Sequence, residues 1–381
     1  MIYIVQNLLN YAAPYPGNFI NSLICLEHEL TEMNIGMVYL FPKKAEGLEW
    51  LNKMVEEGHK VFYGASGDEK IYETIALEYP ISIIHSHFAF TEEYKAINRF
   101  VRRHPEVKTV FHHHDAEFMP YKEKGYGIIL ESIRKWKNVL ALQLAKRRIK
   151  SDVHIACGKG PMADLEKKGF KNLVCIENAI DFGRLDKYEH LDKESVANER
   201  YNRFFALAFG YDFYIKGIDL AIDAVQELAD RYGLTLGIVV AKKKEEAEKY
   251  IIGKYGGIPL WIKLLPPRQD VASYYHMADL FLSPSRTEGM SYAVIESIYC
   301  GCSTVVSDIP GLAHAAEIPG TRVFECGSSK MLKTEIESIL LFGDTYKEEV
   351  SALVKERYSP ERWSYETIKV YTSLLEKDGV M

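Results

Sequence analysis

The chain has 381 residues, of which 47% are hydrophobic and 26% charged, and a formal net charge of −6. That length exceeds one ordinary hydrophobic core and suits two domains, while the acidic balance excludes general nucleic-acid binding. Six cysteines without a CxxC read as reduced thiols of a cytoplasmic protein, the start MIYIVQNLLNYAAPYPG has no basic n-region, and no apolar run reaches the roughly 18 residues of a membrane span.

In chain order, residues 2–5 form a first short apolar run of strand length, and a loop over 10–18 follows, with two prolines and Gly17. Phe19, Leu23, Leu26 and Leu30 then share one helical face. Strand, glycine-containing loop and helix is how a doubly wound domain begins, although GxGxxG is absent. Gly17 by itself suits a plain turn. Further strands are expected at 37–41, 61–63, 81–84 and 109–111. The third ends in His85-Ser86-His87 and the fourth in His112-His113-His114-Asp115. Ligands of such sheets lie beyond the strand C-termini, so these histidines stand where chemistry occurs. His112 and His114 share a face of an extended chain, and His113 points away. With no cysteine nearby and no spaced partner motif, no zinc site is expected.

Residues 128–150 form a basic amphipathic stretch, with Ile133, Trp136, Leu140 and Leu144 among seven Lys and Arg side chains. It fits either a packed helix with solvated charges or a helix lying on an anionic membrane surface. Strands at 153–156 and 173–176 complete a first domain over 1–185, and the charged, poorly periodic segment 186–203 reads as a linker. A second domain is expected over 204–357. Its first strand is 204–209, followed by a loop to Lys216-Gly217 and a helix with Ile218, Ala221, Ile222, Val225 and Leu228 on one face. Lys216 is either a solvated lysine or a phosphate-holding cation at the sheet's C-terminal edge. Strands at 235–240 and 262–265 follow, then helices at 329–342 and 347–357 and a terminal helix within 358–381.

The segment ADLFLSPSRTEGMSYAVIESIYCGCSTVVSDIPG, residues 278–311, carries the most chemistry. It reads strand, loop, helix, strand, the unit of a parallel sheet. Glu288 lies in the loop and Glu296 in the helix, with seven residues between them. Amides at the helix start, near Met290, Ser291 and Tyr292, suit an anion. The two acids read either as ligands of a polyhydroxylated, phosphate-bearing molecule or as a helix-capping Glu288 with a surface Glu296.

Glu-x7-Glu within PSRTEGMSYAVIESIYCG, followed by VVSDIPG, resembles the retaining nucleotide-sugar glycosyltransferases of the "group 1" family (family 4 of the sequence-based classification). The resemblance implies an α/β GT-B fold, two Rossmann-like doubly wound domains facing a central cleft, with the terminal helix packing back on the first domain. It implies transfer of a sugar from a nucleotide diphosphate donor, UDP- or GDP-linked, to a hydroxyl of a glycan, lipid-linked or small-molecule acceptor, with retention. Glu288 would bind donor-sugar hydroxyls and Glu296 the ribose. Lys216, Gly289 and the amides of Met290–Tyr292 would hold the diphosphate. The backbone around Leu265 would read the base, Gly17 would admit the donor, and His114, in HHHDAEF, would face the sugar. His85 and His87 would be structural. No essential metal is implied, and no Asp-x-Asp occurs in the chain. FGYDFYIKG resembles G-R-x4-K-G, with Tyr211 where the family has Arg. Tyr cannot supply that charge, so either Arg286 replaces it, or donor binding is weaker, or the chain binds without catalysis. A nucleotide-sugar epimerase on the same fold is the other alternative.

Overall fold

The computed structural model describes residues 2–88, 91–114, 151–240, 244–343 and 347–376. The basic stretch 128–150, read above as either a packed helix or one lying on an anionic membrane surface, and residues 241–243 lie outside the described residues. The chain separates into two compact units, Met1–Ala179 with Pro360–Met381, and Ile180–Ser359.

Through the first unit run β1 (Ile2–Asn7), α1 (Gly17–Glu32), β2 (Ile35–Pro42), α2 (Glu49–Glu56), β3 (Val61–Gly64), α3 (Lys70–Glu78), β4 (Ile81–His87), α4 (Thr91–Arg103), β5 (Lys108–His113), β6 (Val153–Ala156), α5 (Lys159–Lys167) and β7 (Leu173–Cys175). The second holds β8 (Phe204–Phe209), α6 (Ile218–Tyr232), β9 (Leu234–Val239), α7 (Lys244–Tyr255), β10 (Ile262–Leu265), α8 (Ala272–Met277), β11 (Leu280–Ser283), α9 (Tyr292–Tyr299), β12 (Ser303–Ser307), β13 (Arg322–Phe324), α10 (Ser329–Phe342) and α11 (Lys347–Arg357). The last helix, α12 (Pro360–Glu376), belongs to the first unit.

The first sheet has the order β3-β2-β1-β4-β5-β6-β7 and the second β10-β9-β8-β11-β12-β13, and every strand pair in both is parallel. Parallel sheets are covered on both faces, so their strands are apolar on both sides. In β1, Ile4 packs with α1 and with Trp363 and Tyr371 of α12. Its neighbour Val5 faces the other way, onto Tyr72 and Ile75 of α3 and Ile97 and Phe100 of α4. In the second unit, Ala206, Ala208, Leu236, Ile238, Leu280 and Leu282 are closed over by α6 and by Leu332, Ile336 and Ile339 of α10.

The expected linker 186–203 is packed into the second unit. Lys193 pairs with Asp279 at 2.6 and 2.7 Å, and the Tyr201 carbonyl accepts from Thr235 Oγ1 at 2.7 Å. Several of its charges, among them Glu189, Lys193 and Arg200, are ion-pair partners of the domain that follows. Helices α2, α3, α4, α7 and α8 and the three-residue β13 have no counterpart in the sequence reading.

Candidate functional site

In the second sheet the strand order reverses between β8 and β11. Loops leaving adjacent strands at such a point diverge and open a crevice at the C-terminal edge. The loop after β8 turns on Asp212, whose carbonyl accepts from the Lys216 N–H at 2.9 Å and whose Oδ1 accepts from the Ile215 N–H at 3.2 Å. Gly217 then takes φ +64°, and a side chain there would overlap the Pro284 carbonyl of the loop after β11. The Arg286 N–H donates to Ile215 O at 2.8 Å, which ties the two loops together. Ser307, ending β12, donates its hydroxyl to Ser285 O at 2.5 Å. Gly311 lies so close to the Glu288 carbonyl that any side chain would collide with it. Two glycines, one backbone–backbone bond and one hydroxyl-to-carbonyl bond therefore fix Pro284–Glu288 from both sides.

That clamp brings Lys216 and Glu288 into an ion pair through Nζ and Oε1. Ser285 Oγ donates to the same Oε1 at 2.8 Å. Lys216 is 8% exposed, and its Nζ lies 4.4 Å from the Tyr211 ring centroid. Burial opposes its charge, but Glu288 and Tyr211 outweigh burial and hold the ammonium above the ordinary lysine range. Neither bland reading survives: Lys216 is not solvated, and Ser291, not Glu288, takes the N-cap position of α9.

Glu296 is not a surface residue either. It is 4% exposed, pairs with Arg184 and accepts from the Tyr275 hydroxyl at 3.0 Å. Burial, then Glu296, holds that phenol well above its usual range. Arg184 is a site neighbour that sequence reasoning missed. It lies 112 positions from Glu296, in the turn Phe182–Arg184, and no local pattern links the two. Arg286 forms a bidentate pair with Asp219 at 2.8 and 2.8 Å, donates to Tyr214 O at 2.6 Å and stacks 3.9 Å from the Tyr214 ring centroid. Its charge is thus already matched. Met290 and Ser291 are buried at the start of α9, beside half-buried Gly289. Leu265 ends β10, and its carbonyl accepts from the Val240 N–H at 3.0 Å.

Two of the candidates, Gly17 and His114, belong to the first unit. Gly17 adopts φ +58°, with nothing within 4 Å of where a side chain would start. His114 follows β5, bonds Asn178, and is pushed down to about 3 chiefly by burial, with Asn178 acting the other way. Its Nε2 lies 2.9 Å from His87 Nδ1, and His87 Nε2 lies 2.9 Å from Gln6 Oε1. Phe88 stacks on His114 at 4.4 Å from a left-handed backbone at φ 52°, a conformation uncommon outside glycine.

Residues 203–341 match the family "Glycosyl transferases group 1". The matched stretch contains Lys216, Gly217, Arg286, Glu288, Glu296 and Gly311. An uncharacterized glycosyltransferase of Haemophilus influenzae is 26% identical over 153 residues, a match covering 40% of this chain and 40% of that protein. Among solved structures, Anabaena Alr3699/HepE in complex with UDP-glucose superposes with a TM-score of 0.73 at 17% identity, covering 98% of this chain and 100% of that one. Sucrose-phosphate synthase from Thermosynechococcus elongatus has a TM-score of 0.72 at 12% identity, covering 99% and 100%. A glycosyltransferase from Rickettsia africae has a TM-score of 0.72 at 14% identity, covering 98% of each chain. At these identities the likeness is one of fold: two Rossmann-like parallel α/β domains of the GT-B class. Among the described residues no helix is long and apolar enough to cross a membrane.

Proposed function

We propose that this chain is a glycosyltransferase that moves a sugar from a nucleoside diphosphate donor, UDP-linked in the first instance, to a hydroxyl of a glycan, lipid-linked or small-molecule acceptor, with retention of anomeric configuration. The observation that carries this reading is the Lys216–Glu288–Ser285 group on the two switch-point loops, inside the stretch that matches the family. The Anabaena structures with UDP and with UDP-glucose support a uridine donor.

On this reading Lys216 and the amides near Met290–Tyr292 meet the diphosphate, whose charge grows as the anomeric C–O bond breaks. Such preorganised donors usually supply the largest catalytic contribution. Glu288 accepts from sugar hydroxyls while keeping Lys216 protonated. Glu296, held by Arg184 and Tyr275, meets the ribose, backbone near Leu265 the base, and His114 the sugar. The acceptor oxygen bonds to the anomeric carbon on the face that the diphosphate leaves, and the departing phosphate oxygen takes the acceptor proton, so no protein nucleophile takes part.

The test is incubation with uridine, guanosine and adenosine diphosphate sugars against an acceptor panel, with the anomeric configuration of product and donor compared by NMR. A product of inverted configuration, or no nucleotide-sugar binding at all, defeats the proposal. Tyr211 in the Arg position, with Arg286 committed to Asp219, favours one second reading: a chain that binds the donor without transferring it. Saturable binding with neither hydrolysis nor transfer would select that reading.

A further inference from the structure

Strands β4 and β5 are neighbours in the first sheet, with His87 opposite His112. His85 and His87 lie on one face of β4, and His112 joins them from β5. All three are wholly buried. Ring centroids are 4.0 Å apart for His85 and His87, 5.4 Å for His87 and His112 and 5.6 Å for His85 and His112. One nitrogen from each ring lies within 4.8 Å of the others. Native interiors leave few buried polar atoms unpaired, yet among the described residues His85 Nε2 and both nitrogens of His112 have no partner. Burial first, and then the neighbouring imidazoles, hold the three rings well below the ordinary histidine range. A neutral imidazole offers one ring nitrogen's lone pair to a metal ion.

We propose that His85, His87 and His112 form a binding site for a divalent transition-metal ion of the zinc type. Three imidazoles with no carboxylate among them suit zinc, cobalt or nickel rather than magnesium or calcium. Zinc–nitrogen bonds are about 2.0–2.1 Å, so the nitrogens of a tetrahedral site stand roughly 3.4 Å apart. His112 turns toward the ion without breaking a hydrogen bond. His85 has its Nδ1 2.5 Å from the Tyr371 hydroxyl, and donating that N–H leaves the Nε2 lone pair facing the other rings, the orienting contact that metal-bound histidines usually have. His87 gives one nitrogen to the ion and keeps Gln6 or His114 on the other. Water takes the fourth position. The ion clamps β4 to β5 and fixes His87, the partner of His114. None of this depends on the transfer activity proposed above. The sequence reading expected no zinc here because no cysteine lies nearby and no spaced partner motif is present: His85 and His87 are adjacent on one face of β4, but His112 comes 25 positions after His87, from the neighbouring strand.

The site is buried, so metal must be offered both during folding and afterwards. Full-length protein from zinc-supplemented growth, and chelator-stripped protein titrated with Zn²⁺ or Co²⁺, should each hold one equivalent per chain by elemental analysis. The Co²⁺ form should show the visible bands of a four-coordinate nitrogen site, and Zn²⁺ should raise the melting temperature. His112→Gln and His85→Gln should lose the equivalent. His154→Gln, in the separate His113–His154 contact at 3.2 Å, should keep it. No bound metal under either loading, or an equivalent that persists in both His112→Gln and His85→Gln, overturns the proposal. Should those variants not fold, the wild-type Co²⁺ spectrum decides: bands of a six-coordinate oxygen-rich site overturn it.

Discussion

Lys216 and Glu288 keep only 10% and 11% of their side-chain surface in water. A buried pair contributes little net stability, but removing one member strands the other, at about 3–5 kcal/mol. Lys216→Ala should therefore lower the melting temperature and weaken donor binding about 10- to 100-fold, the loss of one charge-assisted hydrogen bond. Calorimetric titration with UDP checks it, and an unchanged dissociation constant removes Lys216 from the phosphate site. Glu288→Gln keeps an acceptor for Ser285 but loses the charge. Transfer should fall by roughly 10²-fold through misorientation of the sugar, with the folded state retained. Full activity in that variant removes Glu288 from the reaction. Tyr211→Arg separates the two readings of the clamp. If a missing charge limits donor affinity, titration will show tighter binding; if Tyr211 serves by covering the Lys216 ammonium, affinity will stay or fall. Both glutamates and Lys216 could be named as candidates in the sequence because the motifs they resemble are local to one loop–helix unit or one strand–loop unit. Arg184 beside Glu296, Asp219 beside Arg286 and His112 beside His85 were not. Each contact joins residues far apart in sequence that only the tertiary fold brings together.

At the scale of elements, the site depends on how closely two loops approach, and glycine sets that approach. Gly217 has a left-handed backbone and lies against Pro284, and Gly311 lies against the Glu288 carbonyl. An added methyl at Gly311 meets backbone, which cannot swing aside as a side-chain end can. Gly311→Ala should displace the Glu288 loop, lower transfer at least about tenfold and cost roughly 1–3 kcal/mol of stability. Gly253, inside α7 with nothing within 4 Å, is the control: Gly253→Ala should be neutral or stabilising by about 0.5–1 kcal/mol. Activity assays and urea melts on both variants check this, and equal behaviour of the two would refute the close-approach argument. The doubly wound class was readable because β1, β8 and β11 are short apolar runs that end in polar or glycine loops. The amphipathic helices α2 to α4 were harder to read. In α4 several charged side chains, among them Arg99 and Arg103, pair with Glu69 and Glu73 around α3, so the polar face dominates the local pattern and hides the apolar one.

For the whole molecule, the chain leaves the first unit at Ala179 and returns at Pro360. The second unit is continuous and the first is not. Helix α12 contributes Trp363, Val370, Tyr371, Leu374 and Leu375 to the core that holds α1 and β1, and Tyr371 also accepts a hydrogen bond from Gln6 at 3.1 Å. Burying those side chains is worth on the order of 10 kcal/mol, as much as the entire net stability of about 5–15 kcal/mol for a typical domain. A fragment ending at residue 179 should therefore lack a cooperative urea transition, and joining residues 360–381 to it by a flexible linker should restore one. The fragment 180–359, whose own core is complete, should unfold cooperatively alone. Circular dichroism during urea titration of the three fragments decides the matter. Cooperative unfolding of 1–179 without the helix would mean that α12 is an accessory to the first core, and failure of 180–359 to fold would mean that the second unit draws its stability from the rest of the chain.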